Sequence, residues 1–182
     1  FALIVLTILV VNIIRFCWLD DTPKGYNVDE VAAAVSIKCL ATSGTDAFMN
    51  PNPIFLHQGW ATPRPPTYAY PAALWTKIFG YTVDMLRAFS AFAYLLAILG
   101  LFFLAKKIIN SSYAILVCLC ASISPWSWCL SRIGYESIFC LTGLIWGIFF
   151  FIRSEKCFNK ILSGICFSIA AYMYPPCRLQ IP

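Results

Sequence analysis

The sequence predicts an all-α protein built as a polytopic bundle of membrane helices. Of its 182 residues, 60% are hydrophobic and only 12% are charged, and the mean hydropathy is +0.77. A soluble domain of this length leaves too much of its surface in water to conceal so many apolar side chains. Long apolar runs separated by short charged stretches are typical of multi-pass membrane proteins.

The first predicted span covers residues 1–19 and ends at Asp20 and Asp21. The chain starts inside this apolar run, without an initiator methionine or a basic leading region. We therefore interpret the run as a truncated membrane helix rather than a signal peptide. By the same argument, residues 1–182 are expected to be the N-terminal part of a longer transmembrane module.

A long first loop, residues 20–85, is more polar and carries most of the prolines. Within it, residues 28–41 are predicted to form a short helix that Asn27 caps, with Glu30 completing a capping-box pattern. Residues 66–80 are rich in Tyr, Ala, Trp and Leu, which predicts a helix at the membrane interface.

Four further apolar runs predict the remaining spans, at residues 86–105, 112–130, 137–152 and 161–174. Basic residues gather in two of the short connecting loops: Lys106 and Lys107 in one, and Arg153, Lys156 and Lys160 in the other. Both loops fall on one side, which the positive-inside rule makes cytoplasmic, so loop 20–85 is extracytoplasmic. Arg15, near the outer end of the first span, departs from this rule.

The outer side collects acids and arginines beside aromatic residues. Ionisable groups at membrane depth are costly, so they indicate a functional site. Arginine binds phosphate in a bidentate manner, and a carboxylate can take a proton from an attacking hydroxyl. This combination favours an anionic, lipid-linked substrate. The candidate site residues are Asp29, Glu30, Arg64, Arg87, Arg132, Glu136 and Arg178.

Most of these candidates also fit a purely structural role, and the sequence does not distinguish that role from a functional one. Glu30 can serve only the capping box, and Asp29 can serve only the dipole of the first helical turn. Arg87 can be an anchor at the interface. Arg132 and Glu136 are four residues apart and can pair on one helix face.

Metal chemistry has little support in the sequence. His57 is the only histidine and has no metal-ligand spacing, and Arg64 lies between prolines, as an ordinary loop residue would. We expect no cofactor, with a divalent cation that bridges Asp29 and a lipid phosphate as the open alternative. Nine cysteines include no C-x-x-C pair, and we interpret those in or beside apolar runs as small buried hydrophobes: Cys118, Cys120, Cys129, Cys140 and Cys166.

The order of several short motifs resembles the GT-C superfamily of membrane glycosyltransferases. The closest branch holds protein O-mannosyltransferases and bacterial aminoarabinose transferases. The matching pieces are NVDE at 27–30, TPRPPTY at 62–68, KIFG at 77–80, LRAFSA at 86–91 and SRIGYE at 131–136, followed by YMYP at 172–175 and Arg178. The resemblance covers nearly the whole chain and rests on order and spacing rather than on one motif.

The resemblance implies an enzyme that moves a sugar from a polyprenyl-phosphate donor to a hydroxyl of a protein, lipid or glycan. It makes Asp29 the catalytic base, with Glu30 orienting the acceptor or holding the loop. Arg64 stands where the family has lysine or histidine, and Arg87 matches an arginine at the head of the second span. Residues 1–182 then belong to one multi-pass catalytic module with its site facing outside. The short loops and the lack of an obvious retention signal favour a bacterial plasma membrane slightly over an endoplasmic reticulum.

Two other classes of protein are open at this point. A transporter or flippase would also use intramembrane charges, but typically near the bilayer midplane on broken helices. A membrane scaffold would explain the spans but not the acids and arginines on one side. The net charge of +5 is explained by membrane sidedness, and no basic and aromatic stripe predicts nucleic-acid binding.

Overall fold

The computed structural model describes residues 2–58, 61–64, 66–153 and 155–181, without the side chains of residues 57, 58, 61–64 and 175. Across these residues the chain is helical apart from one short hairpin, and the predicted all-α class is confirmed. The helices are α1 (Ala2–Ile14), α2 (Val28–Ser43), α3 (Pro66–Phe79), α4 (Val83–Ile108), α5 (Ser111–Ile123), α6 (Pro125–Ser131), α7 (Ser137–Ile152) and α8 (Cys157–Met173), followed by a 3-10 helix (Pro175–Leu179).

The first loop contains the hairpin, which the sequence did not predict. Its strands, β1 (Leu56–Gln58) and β2 (Ala61–Arg64), pair antiparallel with an irregular register. A proline at position 63 can be accommodated because a two-stranded ribbon consists of edge strands. Leu56 is fully buried and attaches the hairpin to the core.

Helix α2 begins as predicted, but the predicted capping box in its first turn does not form. The side chain of Asn27 accepts a hydrogen bond from the N–H of Asp29, and Gly44, at φ +70°, ends the helix. The carboxylate of Glu30 does not close a capping box, because it binds groups on other elements. The buried face of α2 packs on α3 and α4 through a core of Ala33, Ile37, Leu40, Tyr68, Ala72, Leu86 and Phe89.

Within the described residues, α4 is long and apolar enough to cross a membrane by itself. A second candidate arises if α5 and α6 are counted as one span, although they bend by 64° at Ser124. Helices α1, α7 and α8 are apolar but shorter. The assignment of these helices to five spans of one module stays a prediction.

The bend between α5 and α6 lies inside the apolar run 112–130. Pro125 lacks an N–H and cannot continue the helical hydrogen-bond ladder, so carbonyls before it need other donors. The carbonyl of Ala121 accepts from the Tyr94 hydroxyl at 2.6 Å and the Ser127 hydroxyl at 2.7 Å. Side chains therefore satisfy the backbone that the break leaves open.

The cysteine interpretation needs correction. Cys140 forms a disulfide with Cys177, which joins the first turns of α7 to the final 3-10 helix. The chain brings the two together only in the fold, 37 residues apart, so spacing gave no indication. Cys118 is buried as predicted, whereas Cys120 and Cys129 lie exposed on the surface of the chain.

Helices α7 and α8 approach closely through two glycines one turn apart. A Cβ on Gly143 would lie 3.1 Å from Ala170 Cβ and 3.2 Å from the carbonyl oxygen of Cys166. A Cβ on Gly147 would lie 2.6 Å from two ring atoms of Phe167, Cδ1 and Cε1. Small residues spaced by four bring helix backbones together in membrane proteins, and this contact has that form.

Replacing Gly143 with alanine is expected to destabilise the protein by about 1–3 kcal/mol, because the added methyl meets backbone as well as side chain. The measurement is thermal unfolding of the full-length protein purified in detergent. Gly164→Ala is the matched control, since nothing lies within 4 Å of a Cβ at that position of α8. Equal melting temperatures for the two variants would contradict this account of the α7–α8 contact.

Candidate functional site

The segment between α1 and α2 is held by the guanidinium group of Arg132. This side chain is 3% exposed and donates to the carbonyls of Arg15 at 2.9 Å, Cys17 at 2.7 Å and Trp18 at 3.0 Å. Its Nε and Nη2 both donate to the carbonyl of Thr22. The loop therefore curls around one buried cation before it reaches α2.

Arg132 and Glu136 do not lie on one helix face, as the alternative interpretation assumed. Arg132 follows the last residue of α6, Glu136 precedes the first residue of α7, and the residues between them are non-helical. The two residues therefore sit at the ends of different helices.

Arg87 also holds this loop through its backbone carbonyls, at positions closer to α2. It is fully buried and donates to the carbonyls of Leu19, Pro23 and Gly25 at 2.6, 3.0 and 2.8 Å. Its Nε and Nη2 donate to the two carboxylate oxygens of Glu30 at 2.7 and 2.9 Å. All five N–H groups of this guanidinium are thus used within the protein.

The Glu30 carboxylate is the point where three parts of the chain meet. It belongs to the first turn of α2, is 3% exposed, and receives the bidentate pair from Arg87 on α4. The backbone N–H of Gly134 donates to Glu30 Oε1 at 2.9 Å. Burying an ion pair is costly unless its remaining donors and acceptors are satisfied, and here they are.

Asp29 lies directly before this anchored residue and is exposed. It occupies the first turn of α2, and its N–H binds the Asn27 side chain at 3.1 Å. The two acids therefore differ in environment: the Glu30 carboxylate is held in the interior, and Asp29 is exposed at the surface. Asp29 is joined directly to the anchored Glu30 within this turn.

Glu136 and Arg178, two further predicted residues, lie in segments that a ring contact and a disulfide join. Glu136 is buried before α7, and the Tyr135 ring meets the Tyr174 ring edge-on at 6.3 Å. Arg178 is exposed in the final 3-10 helix, where its Nε donates to the Ala171 carbonyl at 3.1 Å. The Cys140–Cys177 disulfide fixes these segments to each other.

A cavity of about 430 Å³ lies beside these joined segments. Tyr135, Ser137, Tyr174 and Gln180 line it together with apolar side chains of α6 and α7. Its size falls in the range of small-molecule sites, and its lining is mostly apolar.

The structure therefore brings Glu30, Arg87 and Arg132 together around one loop, with Asp29 at its edge. A direct substrate contact by Arg87 would require one of its present bonds to break. The side chains of Arg64 and His57 lie outside the described residues. Within the described residues, no three His, Cys, Asp or Glu side chains are grouped so as to hold a metal ion.

Sequence reasoning missed two residues of this region. Arg15 is fully buried, donates to the carbonyls of Ser122 and Ser127, and lies 4.2 Å from the centre of the Tyr94 ring. An arginine within an apolar run was the available signal. Gly134 gave none, because its role rests on a backbone N–H.

The chain was compared with known proteins. The profile of the family described as dolichyl-phosphate-mannose-protein mannosyltransferase matches residues 63–179. Arg64, Arg87, Arg132, Glu136 and Arg178 lie inside this range, while Asp29 and Glu30 precede it. No curated protein and no solved structure matches the chain. The match spans well over half of the sequence, and the chain belongs to the dolichyl-phosphate-mannose-protein mannosyltransferase family, as a glycosyltransferase of the GT-C type.

Proposed function

We propose that this protein transfers a mannose-like sugar from a polyprenyl-phosphate donor to a hydroxyl group of a protein at the outer membrane face. The observation that carries the proposal is the division of the acidic pair: Asp29 is exposed beside a Glu30 that is buried and held by Arg87. A carboxylate fixed at the surface in this way suits a general base.

Asp29 takes the proton of the acceptor hydroxyl as the hydroxyl oxygen forms its bond to the anomeric carbon. The bond from that carbon to the phosphate oxygen breaks, and the polyprenyl phosphate leaves with the electron pair. Exposed Arg178 stabilises the charge that develops on the phosphate, as does Arg64. Arg87 and Arg132 act indirectly by holding the loop before Asp29.

The membrane arrangement belongs to the same proposal. Five spans place the basic loops at 106–107 and 153–160 in the cytoplasm and loop 20–85 outside. The Cys140–Cys177 disulfide supports this, because both cysteines lie toward the predicted outer ends and disulfides persist in oxidising compartments. The cavity beside Tyr135 offers an apolar surface for the isoprenoid part of the donor.

Transfer assays on the full-length protein in membranes test the proposal. A panel of radiolabelled polyprenyl-phosphate sugars is supplied with a peptide acceptor rich in serine and threonine. We expect label on the peptide from the mannose donor and none from membranes that lack the protein. If no donor in the panel yields labelled peptide, the proposed function is wrong, and a transporter becomes the leading alternative.

The stereochemistry of the product tests the single-displacement step. One base and one direct attack invert the anomeric centre, so the peptide-linked sugar is expected in the configuration opposite to that of the donor. Nuclear magnetic resonance of the isolated glycopeptide measures the configuration. A product with the donor's configuration would contradict direct displacement and require a covalent intermediate.

A further inference from the structure

The turn between α6 and α7 contacts Glu30 of the acidic pair, at the same carboxylate oxygen that accepts from Arg87 Nε. Gly134, in the middle of this turn, gives its backbone N–H to Glu30 Oε1. Two residues earlier, Arg132 fixes the same turn to the carbonyls of the first loop. The turn is therefore held both to Glu30 and to the loop that precedes it.

A side chain at Gly134 would crowd the Glu30 carboxylate. A Cβ there would lie 3.3 Å from Glu30 Oε1, and 3.6 Å from both Glu30 Cγ and Leu86 Cβ. The first distance is tighter than ordinary van der Waals contact for such atoms. The carboxylate would have to shift by a few tenths of an ångström, and its bidentate geometry with Arg87 would shift with it.

We propose that Gly134 is a positioning residue for the transfer reaction: its N–H and its missing side chain set the Glu30 carboxylate and, through it, Asp29. The inference rests on the proposed function, since Asp29 must be the base for its position to affect the rate. Glu30 and Asp29 are consecutive in the first turn of α2, so a displaced Glu30 backbone carries Asp29 with it. A misplacement of about 1 Å can cost about a hundredfold in rate, so a shift of a few tenths of an ångström is expected to cost about tenfold.

The test compares Gly134→Ala with Gly164→Ala in the purified full-length protein, using the mannose donor and the peptide acceptor. Gly164 lies in α8, where nothing would meet a Cβ within 4 Å. We expect kcat per folded enzyme to fall about tenfold in Gly134→Ala, with the donor KM changed less than about twofold. The control should keep both constants within about twofold of wild type.

A purely structural role for Gly134 would reduce the yield or melting temperature of the protein but leave kcat per folded molecule unchanged. That result would overturn the proposal. An equal loss of kcat in the Gly164→Ala control would overturn it as well, because the effect would not depend on contact with Glu30.

Hydrogen–deuterium exchange over residues 27–33 separates this inference from the proposed function. Faster amide exchange in Gly134→Ala, with wild-type exchange in Gly164→Ala, is expected whether or not the assay finds the right donor. If wild type transfers no sugar but the exchange changes, the proposed function fails and the coupling of Gly134 to α2 stands. Unchanged exchange in Gly134→Ala overturns the coupling itself.

Discussion

Replacing Asp29 with asparagine is expected to lower kcat for sugar transfer by about a thousandfold while donor binding is retained. A positioned general base typically contributes between about a hundredfold and ten-thousandfold, and asparagine cannot accept the proton. The amide is nearly isosteric with the carboxylate, and the cap at Asn27 uses the backbone N–H of residue 29, which remains. The measurement is steady-state transfer to the peptide, with protein abundance and donor affinity determined in parallel.

Asp21→Asn provides the matched control, since Asp21 is an exposed acid in the same loop that no step of the proposed reaction uses. We expect it to keep wild-type kcat within about twofold. Undiminished transfer by Asp29→Asn would show that Asp29 takes no part in the chemistry. Its role would then be that of a first-turn acid, whose negative charge interacts favourably with the helix dipole.

Replacing Arg87 with methionine is expected to destabilise the protein by about 3–5 kcal/mol, the cost of removing one partner from a buried ion pair. Glu30 would keep a negative charge in the interior with only the Gly134 N–H to offset it. The carbonyls of Leu19, Pro23 and Gly25 would lose their donor at the same time. Chemical unfolding of the purified full-length protein measures the loss.

Two companion variants identify the cause of that loss. Arg178→Met removes an exposed arginine and should change stability by less than about 0.5 kcal/mol. The double variant Arg87→Met/Glu30→Gln should recover part of the stability, because it leaves no uncompensated charge. A stable Arg87→Met protein would contradict the importance of the pair, and a double variant no better than the single one would assign the loss to the loop carbonyls instead.

The helices were predictable because apolar runs and their charged ends are local signals. Helix α7, Ser137–Ile152, has the bounds of the predicted run 137–152, and α2 starts where Asn27 predicted. The bend at Ser124 was not predicted, because a proline near the end of an apolar run is also compatible with a helix that simply ends. The hairpin at 56–64 is too short for an alternating pattern to stand out.

The candidate site shows the same limit more clearly. Glu30 satisfies a local capping pattern, yet its partner is Arg87, 57 residues away, which no spacing rule connects to it. The prediction that Arg132 contacts substrate rests on the affinity of arginine for phosphate and is untested. In the fold its guanidinium group binds carbonyls, which every residue possesses and no residue type reveals. Only the chain path brings such groups together, so the sequence identified the charged residues and not their partners.

The carbonyl contacts of Arg87 and Arg132 also bear on how this protein can vary. Both arginines recognise the backbone of residues 15–25 and almost none of its side chains, so most substitutions in that loop leave the contacts in place. An insertion or deletion would instead move every carbonyl out of register with the two guanidinium groups. The loop is therefore constrained in length more than in composition, although Arg15 and Leu19 are buried and Gly25 adopts φ +78°. Relatives are expected to share the two arginines and their spacing from Asp29 more closely than the residues of the loop.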